Sequence, residues 1–515
     1  MAVYAKSASE ITVNSTVAGD QSKSSITRLT DGSIIVVWQS TNTTQDGNGT
    51  AVLMRRYSAN GIALTAETVV NSANIGDQLK PQVSALASGG YVVTWETTDT
   101  AQDGNGTAIK GKIFDAAGLA ISPEFKGNNL AIANQQQPTV AGLADGTFVI
   151  IWHTTDISQD GAGWALKGQR FSSTGGLLGS EFRVNTSAFG SQNNADVAVL
   201  NDGRFVVSWQ HGSTGSSEVH AQIFNADGMS AGGQIYVGSG AGEFDSSVAA
   251  LADGGFVITY HRLGGIFFQR YNADRTAAGA TVSVGAGTVP EVSALTEGGF
   301  VIAWRASASA TAARTFSASG AAVSNAFTLA MNVNQGAETS IVSLAGGGFA
   351  ATWSDGLSGV GNEQEIRFGI FQPQVNVAPE LGAATKSISV AENLTAVATI
   401  VATDEGAPGP IVYSVAGGAD AALFNINATT GALSFFAPRN FESPADTGAN
   451  NVYDVVIKAS DGDLFDTQAI SVNITNVNEV PVITSNGAGP TATISVNENN
   501  IIAANVSAID VDGNS

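Results

Sequence analysis

Three stretches, QDGNGTA, QDGNGTA and QDGAGWA, place Asp46, Asp103 and Asp160 at the same position of three similar loops. Asp-Gly and Asn-Gly favour tight turns, through local hydrogen bonding and tolerance of positive φ. The same side-chain oxygens could hold a calcium ion, but each loop offers only one carboxylate. Turn chemistry is therefore the plainer reading. Three long, similar loops on one side of a fold would still make a lopsided rim, and binding surfaces are commonly grafted onto such loops. The four histidines, His153, His211, His220 and His261, form no HExxH or other ligand-spaced set. His153, His211 and His261 each follow within two residues an aromatic that ends a strand-like run, which would gather them near one edge.

The composition bounds the elements that could carry such groups. The chain has 515 residues, 60 of them glycine, with 43% apolar and only 13% charged residues. That mix suits turns between strands rather than surface helices, and it argues against wholesale disorder. The length allows about two to five domains. A formal net charge of -22 argues against phosphate-backbone binding and fits a chain that collects cations. With no cysteine there are neither disulfides nor thiolate metal sites. The opening MAVYAKSASEITVNS does not read as a signal peptide, and no run approaches the roughly 18 apolar residues of a membrane span.

The motif LADGTFVIIW, Leu143 to Trp152, recurs in variant form from Leu29, Leu86, Leu143, Leu200, Leu251, Leu295 and Leu344. Each copy ends on an aromatic: Trp38, Trp95, Trp152, Trp209, Tyr260, Trp304 and Trp353. Repeats of this length must stack to bury their faces. Within a unit, PQVSAL, GGYVVTW and AIKGKIF read as three strands, and ETVVN, EFKGN and EFRVN read as a short fourth. Four strands without a helical period describe a propeller blade. The segment EITVN, residues 10–14, precedes the first unit, while the seventh unit ends without a fourth strand. The spacing predicts a seven-bladed β-propeller over 1–374, closed by 10–14 and leaving no open edge. The apolar and aromatic residues of FVIIW are then core between blades. The repeats resemble those of very large bacterial surface and RTX-type secreted proteins. That resemblance implies export without a cleaved N-terminal signal, to the cell surface or beyond.

After Pro379 the vocabulary changes to strand-like alternation with acids at the turns, in SVAEN, NFES, KASDGD, NVNEVP and IDVDG. Residues 379–480 read as a β-sandwich, and 481–515 as the truncated start of a second. The motifs stand in the order of a cadherin domain, which they resemble, so the whole chain reads as all-β. The resemblance implies Ca2+ held by Glu392, Glu442, Asn476, Asn478, Glu479, Asp510 and Asp512, although Asn440 stands where the family has Asp. It implies a less complete second set of Asn376, Asp404 and Asp461, with Gly406 in place of an acid. Calcium takes six to eight hard oxygens, and about five anionic groups brought together repel until a cation neutralises them.

Three functions are open at this point. One is a calcium-dependent adhesin, with the propeller as a head for a glycan or surface protein of another cell or matrix and further cadherin-like domains as a stalk. Another is a polysaccharide-acting enzyme with its site on the propeller rim. The third is a structural cap in a surface layer. The adhesin is the leading expectation, from the closing repeat array, the tandem calcium motifs and the lack of cysteine, while the recurrent aspartates of the repeats occupy turn positions, which weighs against the enzyme. Neither nucleic acid nor membrane insertion is expected.

Overall fold

The computed structural model describes the chain except residues 1–2, 8, 17, 73–74, 104–105, 130–132, 157–162, 188–189, 213–216, 239–241, 334–337, 356–363, 375, 405–409, 486–488, 500, 502–503 and 514–515. The chain divides into two compact units, Ala2–Gln374 and Val375–Ser515.

The recurrent motif folds as a hairpin with both faces of its second strand buried. At Leu143 the backbone N–H bonds the Thr147 carbonyl at 2.8 Å, Gly146 takes φ +85°, and Asp145 Oδ1 accepts the Thr147 N–H at 2.9 Å. Glycine adopts that φ without steric penalty, and the aspartate closes the turn locally. Beyond it, Phe148, Ile150 and Trp152 enter one apolar cluster while Val149 and Ile151 enter the next. A continuous apolar run is what a strand buried on both faces requires. The Trp152 Nε1–H donates to Gln135 Oε1 at 2.7 Å, and Trp38 and Trp95 repeat the bond to Gln21 and Gln78. These three buried indoles are thereby satisfied by the first residue of the innermost strand of their own sheets.

Among the described residues, the first unit holds seven antiparallel sheets of four or five strands. The innermost strands are Gln21–Arg28, Gln78–Ala85, Gln135–Gly142, Gln192–Val199, Glu243–Ala250, Thr288–Ala294 and Ser340–Ser343. Each lies against the next, and the last lies against the first. The arrangement is propeller-like. The sheet of Ser340–Ser343, Phe349–Asp355 and Glu365–Gln374 is completed from the other end of the unit, where Ile11 and Thr12 pair with Phe368 and Arg367. Val3–Lys6 also pairs with Glu365–Gln374.

In the second unit, Thr385–Ala391 runs parallel to Phe465–Thr475, which pairs in turn with Val452–Ser460 and then Val412–Gly417. A second sheet joins Ala396–Thr399, Ala432–Phe435 and Phe424–Ile426. Tyr453, Val455, Ile457, Ile470 and Val472 from the first sheet and Phe424 and Leu433 from the second share one core. The short strands Val482–Ile483 and Ala508–Ile509 pair separately.

Candidate functional site

The innermost strands carry a shared irregularity near their starts. In six of them the ladder register slips, as between Asn193 and Asp196, and the residue inside the slip has positive φ: Lys23, Lys80, Gln137, Asn194, Asp245 and Val289. Such bulges re-aim side chains. Here they turn these residues, together with Glu338 of the seventh repeat, into a cavity of about 330 Å³ bounded by all seven repeats. A second tier, Gln82, Thr139, Asp196, Glu291 and Ser340, lies below. Each of these stands four residues before a repeat leucine.

The charges in this axial pocket are segregated. Lys23 and Lys80 come from the first two repeats, whereas Asp196, Asp245, Glu291 and Glu338 come from the fourth to the seventh. Lys23 pairs with Glu338 at the mouth, and Lys80 Nζ lies 3.4 Å from a buried carboxylate outside the lining, Glu96. Asp196 Oδ2 accepts the Val248 N–H at 2.8 Å and the Ser247 hydroxyl at 3.1 Å, and Oδ1 accepts the Val197 N–H at 2.8 Å. Burial still pushes the Asp196 carboxyl up against these donors. Glu291 has fewer donors and is driven well above the usual carboxylate range, first by burial and then by the negative charge of Asp196. Both retain some accessible surface, because they face the cavity, but protein surrounds them on every other side. Asp245 is raised by burial; His261 opposes that shift and Glu338 adds to it. The pocket thus sets Glu291, raised well above the carboxylate range, beside Asp196 and Asp245, which are raised as well, and carboxyls of unequal proton affinity in one pocket are what acid–base chemistry uses.

The pocket mouth lies where first strands begin and second strands end, as the pairing of Gln21 with Ser40 fixes. The QDGxG loops leave from that same end. Asp46 serves its own loop: Oδ1 accepts the Asn48 N–H at 3.2 Å and Oδ2 accepts Asn71 Nδ2 at 3.0 Å. Asp103 ends a short helical turn, Thr100–Asp103, and Asp160 lies outside the described residues. His153, His211 and His261 stand at this end, and the rings of His211 and His220 stack at 4.6 Å.

In the second unit, carboxylate oxygens of Glu392, Glu442 and Glu479 lie within 4.8 Å of one another. Glu392 is 2% exposed and accepts N–H groups of Phe441 and Val477, both at 2.9 Å. Asn476 Nδ2 donates to Glu442 Oε1 at 3.0 Å, Glu479 N–H to Asp512 Oδ2 at 2.7 Å, and Asp512 N–H to Asp510 Oδ1 at 3.0 Å. Asn478 turns its amide to the Glu479 carbonyl at 3.0 Å. Glu479 Oε2 and Asp512 Oδ1 are buried without a donor. At the second set, both oxygens of Asp404, Oδ2 of Asp461 and Oδ1 of Asn376 are likewise buried without a donor, and Gly406 lies outside the described residues. Buried oxygens left without donors are costly unless something else neutralises them. Hard anionic oxygens of this kind fit calcium.

No protein-family profile matches the sequence, and no curated protein is recognisably similar. Solved structures do align with it. An α-L-arabinofuranosidase of Fusarium graminearum covers 71% of this chain and 98% of its own, at 11% identity and TM-score 0.45. An α-L-arabinanase of Penicillium chrysogenum covers 71% and 98%, at 12% identity and TM-score 0.44. Domains EC1-2 of human protocadherin-24 align with 27% of this chain and 62% of their own, at 22% identity and TM-score 0.20. The adhesin expectation is corrected at this point. Several of the chains aligned over the repeats are α-L-arabinofuranosidases or an α-L-arabinanase and another is of unknown function, so the adhesive head is withdrawn. The roles of individual residues rest on the pocket alone.

Proposed function

We propose that the first unit is a seven-bladed β-propeller that cleaves a polysaccharide in its axial pocket, not on its outer rim. One observation carries this reading: Glu291, buried beside Asp196 and raised well above the usual carboxylate range, faces a polar cavity lined by further carboxylates. Glu291 acts as general acid toward the leaving oxygen of a glycosidic bond. Asp245 supplies the second carboxylate that such cleavage needs. Asp196, held by three donors, supports the positive charge that develops on the sugar and keeps Glu291 protonated. The test is reducing-end release from a panel of neutral, acidic and amino polysaccharides, repeated with Glu291→Gln and Asp245→Asn. Release by the wild type that either variant abolishes supports the reading. Release that survives both variants contradicts it.

For the second unit we propose a cadherin-like sandwich that binds calcium, on the strength of the oxygens buried without donors. Glu392, Glu442 and Glu479, with Asp510, Asp512, Asn476 and Asn478, would hold one site. Asn376, Asp404 and Asp461 would hold another. The ion would neutralise clustered carboxylates and stiffen the loops that carry them. A polymeric sugar substrate and calcium sites of this type both suit a protein working outside the cell.

A further inference from the structure

The chain has seven tryptophans, all among the described residues, and six are core: Trp38, Trp95, Trp152, Trp209 and Trp353 are fully buried and Trp304 is 2% exposed. Trp164 is 37% exposed. It ends the third QDGxG loop, where the first two repeats carry Thr50 and Thr107, so neither turn geometry nor strand pairing calls for an indole. Its backbone does what theirs does. The Trp164 carbonyl accepts the Gln192 N–H at 3.0 Å, as the Thr50 carbonyl accepts that of Gln78.

The side chain is held nonetheless. The indole stacks on His153 with ring centroids 4.9 Å apart and an interplanar angle of 12°. Burial, followed by the nearby Lys80, lowers the His153 pKa to about 4, so the imidazole is a neutral, flat support at physiological pH. His153 Nε2 lies 3.4 Å from Gln136 Oε1, and Gln136 Nε2 donates to Glu96 at 3.3 Å. Glu96 in turn accepts the backbone N–H of Gln137 and pairs with Lys80, both of which line the axial pocket. A rigid aromatic at the pocket end of the ring is therefore tied, contact by contact, to the pocket wall.

We propose that Trp164 is a sugar-stacking platform, a subsite on which one ring of a polysaccharide lies by its apolar C–H face while the chain continues to the axial pocket. The inference rests on the polysaccharide reading of that pocket. Flat aromatic faces suit pyranose and furanose rings because they offer a large apolar area and little side-chain entropy to lose, and His153 has already fixed the orientation.

The test uses the full chain and two readouts, with arabinan, xylan, alginate and chitosan as polymers and their disaccharides as short ligands. Six of the tryptophans are buried, so acrylamide quenching of intrinsic fluorescence reports chiefly on Trp164. Trp164→Thr places at this site the residue that the first two repeats already use, and Trp164→Tyr keeps an aromatic face. A polymer that binds should protect the wild-type fluorescence from acrylamide. Trp164→Thr should weaken polymer binding about tenfold, the range of one aromatic contact, and leave disaccharide binding unchanged. Trp164→Tyr should recover most of the loss. Cleavage of a polymer with no protection and no effect of Trp164→Thr would overturn the platform and leave the pocket reading standing. Protection without cleavage of any polymer would support the platform and overturn the enzymatic reading. Binding of none would overturn both.

Discussion

At the residue scale the axial carboxyls differ in what reaches them. Asp196 is met by two backbone N–H groups and a hydroxyl, whereas Glu291 gains little beyond Ser247 and faces the Asp196 charge. Its folded pKa is therefore raised, and the sign of the linkage follows. Between the ordinary glutamate pKa and the raised one, the folded state keeps a proton that the unfolded state has lost, so stability falls as pH rises through that window. Below it Glu291 contributes nothing. Glu291→Gln should abolish most activity, by about 10²- to 10⁴-fold, yet raise thermal stability at neutral pH and flatten its decline with pH. Melting curves of both proteins from acid to neutral pH check this. Asp196→Asn removes the neighbouring charge, so the high-pH limb of the rate profile should move to lower pH. The sequence hid these groups because they do not recur. Asp31, Asp145, Asp202 and Asp253 repeat, and each accepts the N–H two residues on, as turn chemistry predicts. The second-tier position reads Gln82, Thr139, Asp196 and Glu291 in successive or nearby repeats, and comparison of repeats discards such differences as variation. The only visible signal is position, four residues before the leucine.

At the element scale, the segment that completes the last sheet is the most consequential. Val13 is fully buried, its N–H bonds the Ile366 carbonyl at 2.8 Å, and Asn14 Oδ1 accepts the Ile366 N–H at 2.9 Å. The Val13 carbonyl also receives Arg55 and the Tyr57 hydroxyl from the first sheet, at 2.9 and 3.1 Å. Removing residues 2–14 should cost at least about 3 kcal/mol from the burial of Val13 and Ile11 alone, and it would bare the edge of Glu365–Gln374. Chemical denaturation and light scattering of the truncated chain test this, with a lower midpoint and self-association expected. Four-stranded sheets were legible in LADGTFVIIW because turn, strand and buried indole are all local. The bulges were not, since a register slip depends on the facing strand and on the ring around it. Pro81, Pro138 and Pro290, each lying within such a slip, are the local trace they leave.

At the scale of the whole molecule, the net charge of -22 is distributed over two units with different uses for carboxylates. In the first, protons and internal donors manage them. In the second, oxygens stay buried without donors. Calcium should therefore raise one melting transition and leave the other in place, by about 2.7 kcal/mol at a hundredfold excess over Kd. Glu442→Gln should remove much of that gain, and scanning calorimetry with calcium or chelator reads it. The acidic motifs of this unit were legible because each sits at a turn in an ordered series. The axial carboxyls were not, since they come from four repeats and meet only once the ring is formed. The most direct measurement is reducing-end release from the polysaccharide panel by the wild type and Glu291→Gln at matched folding. Release by the wild type alone, with a high-pH limb that Asp196→Asn displaces downward, is the predicted result. Equal release by both proteins, or none from any polymer, would contradict an axial active site.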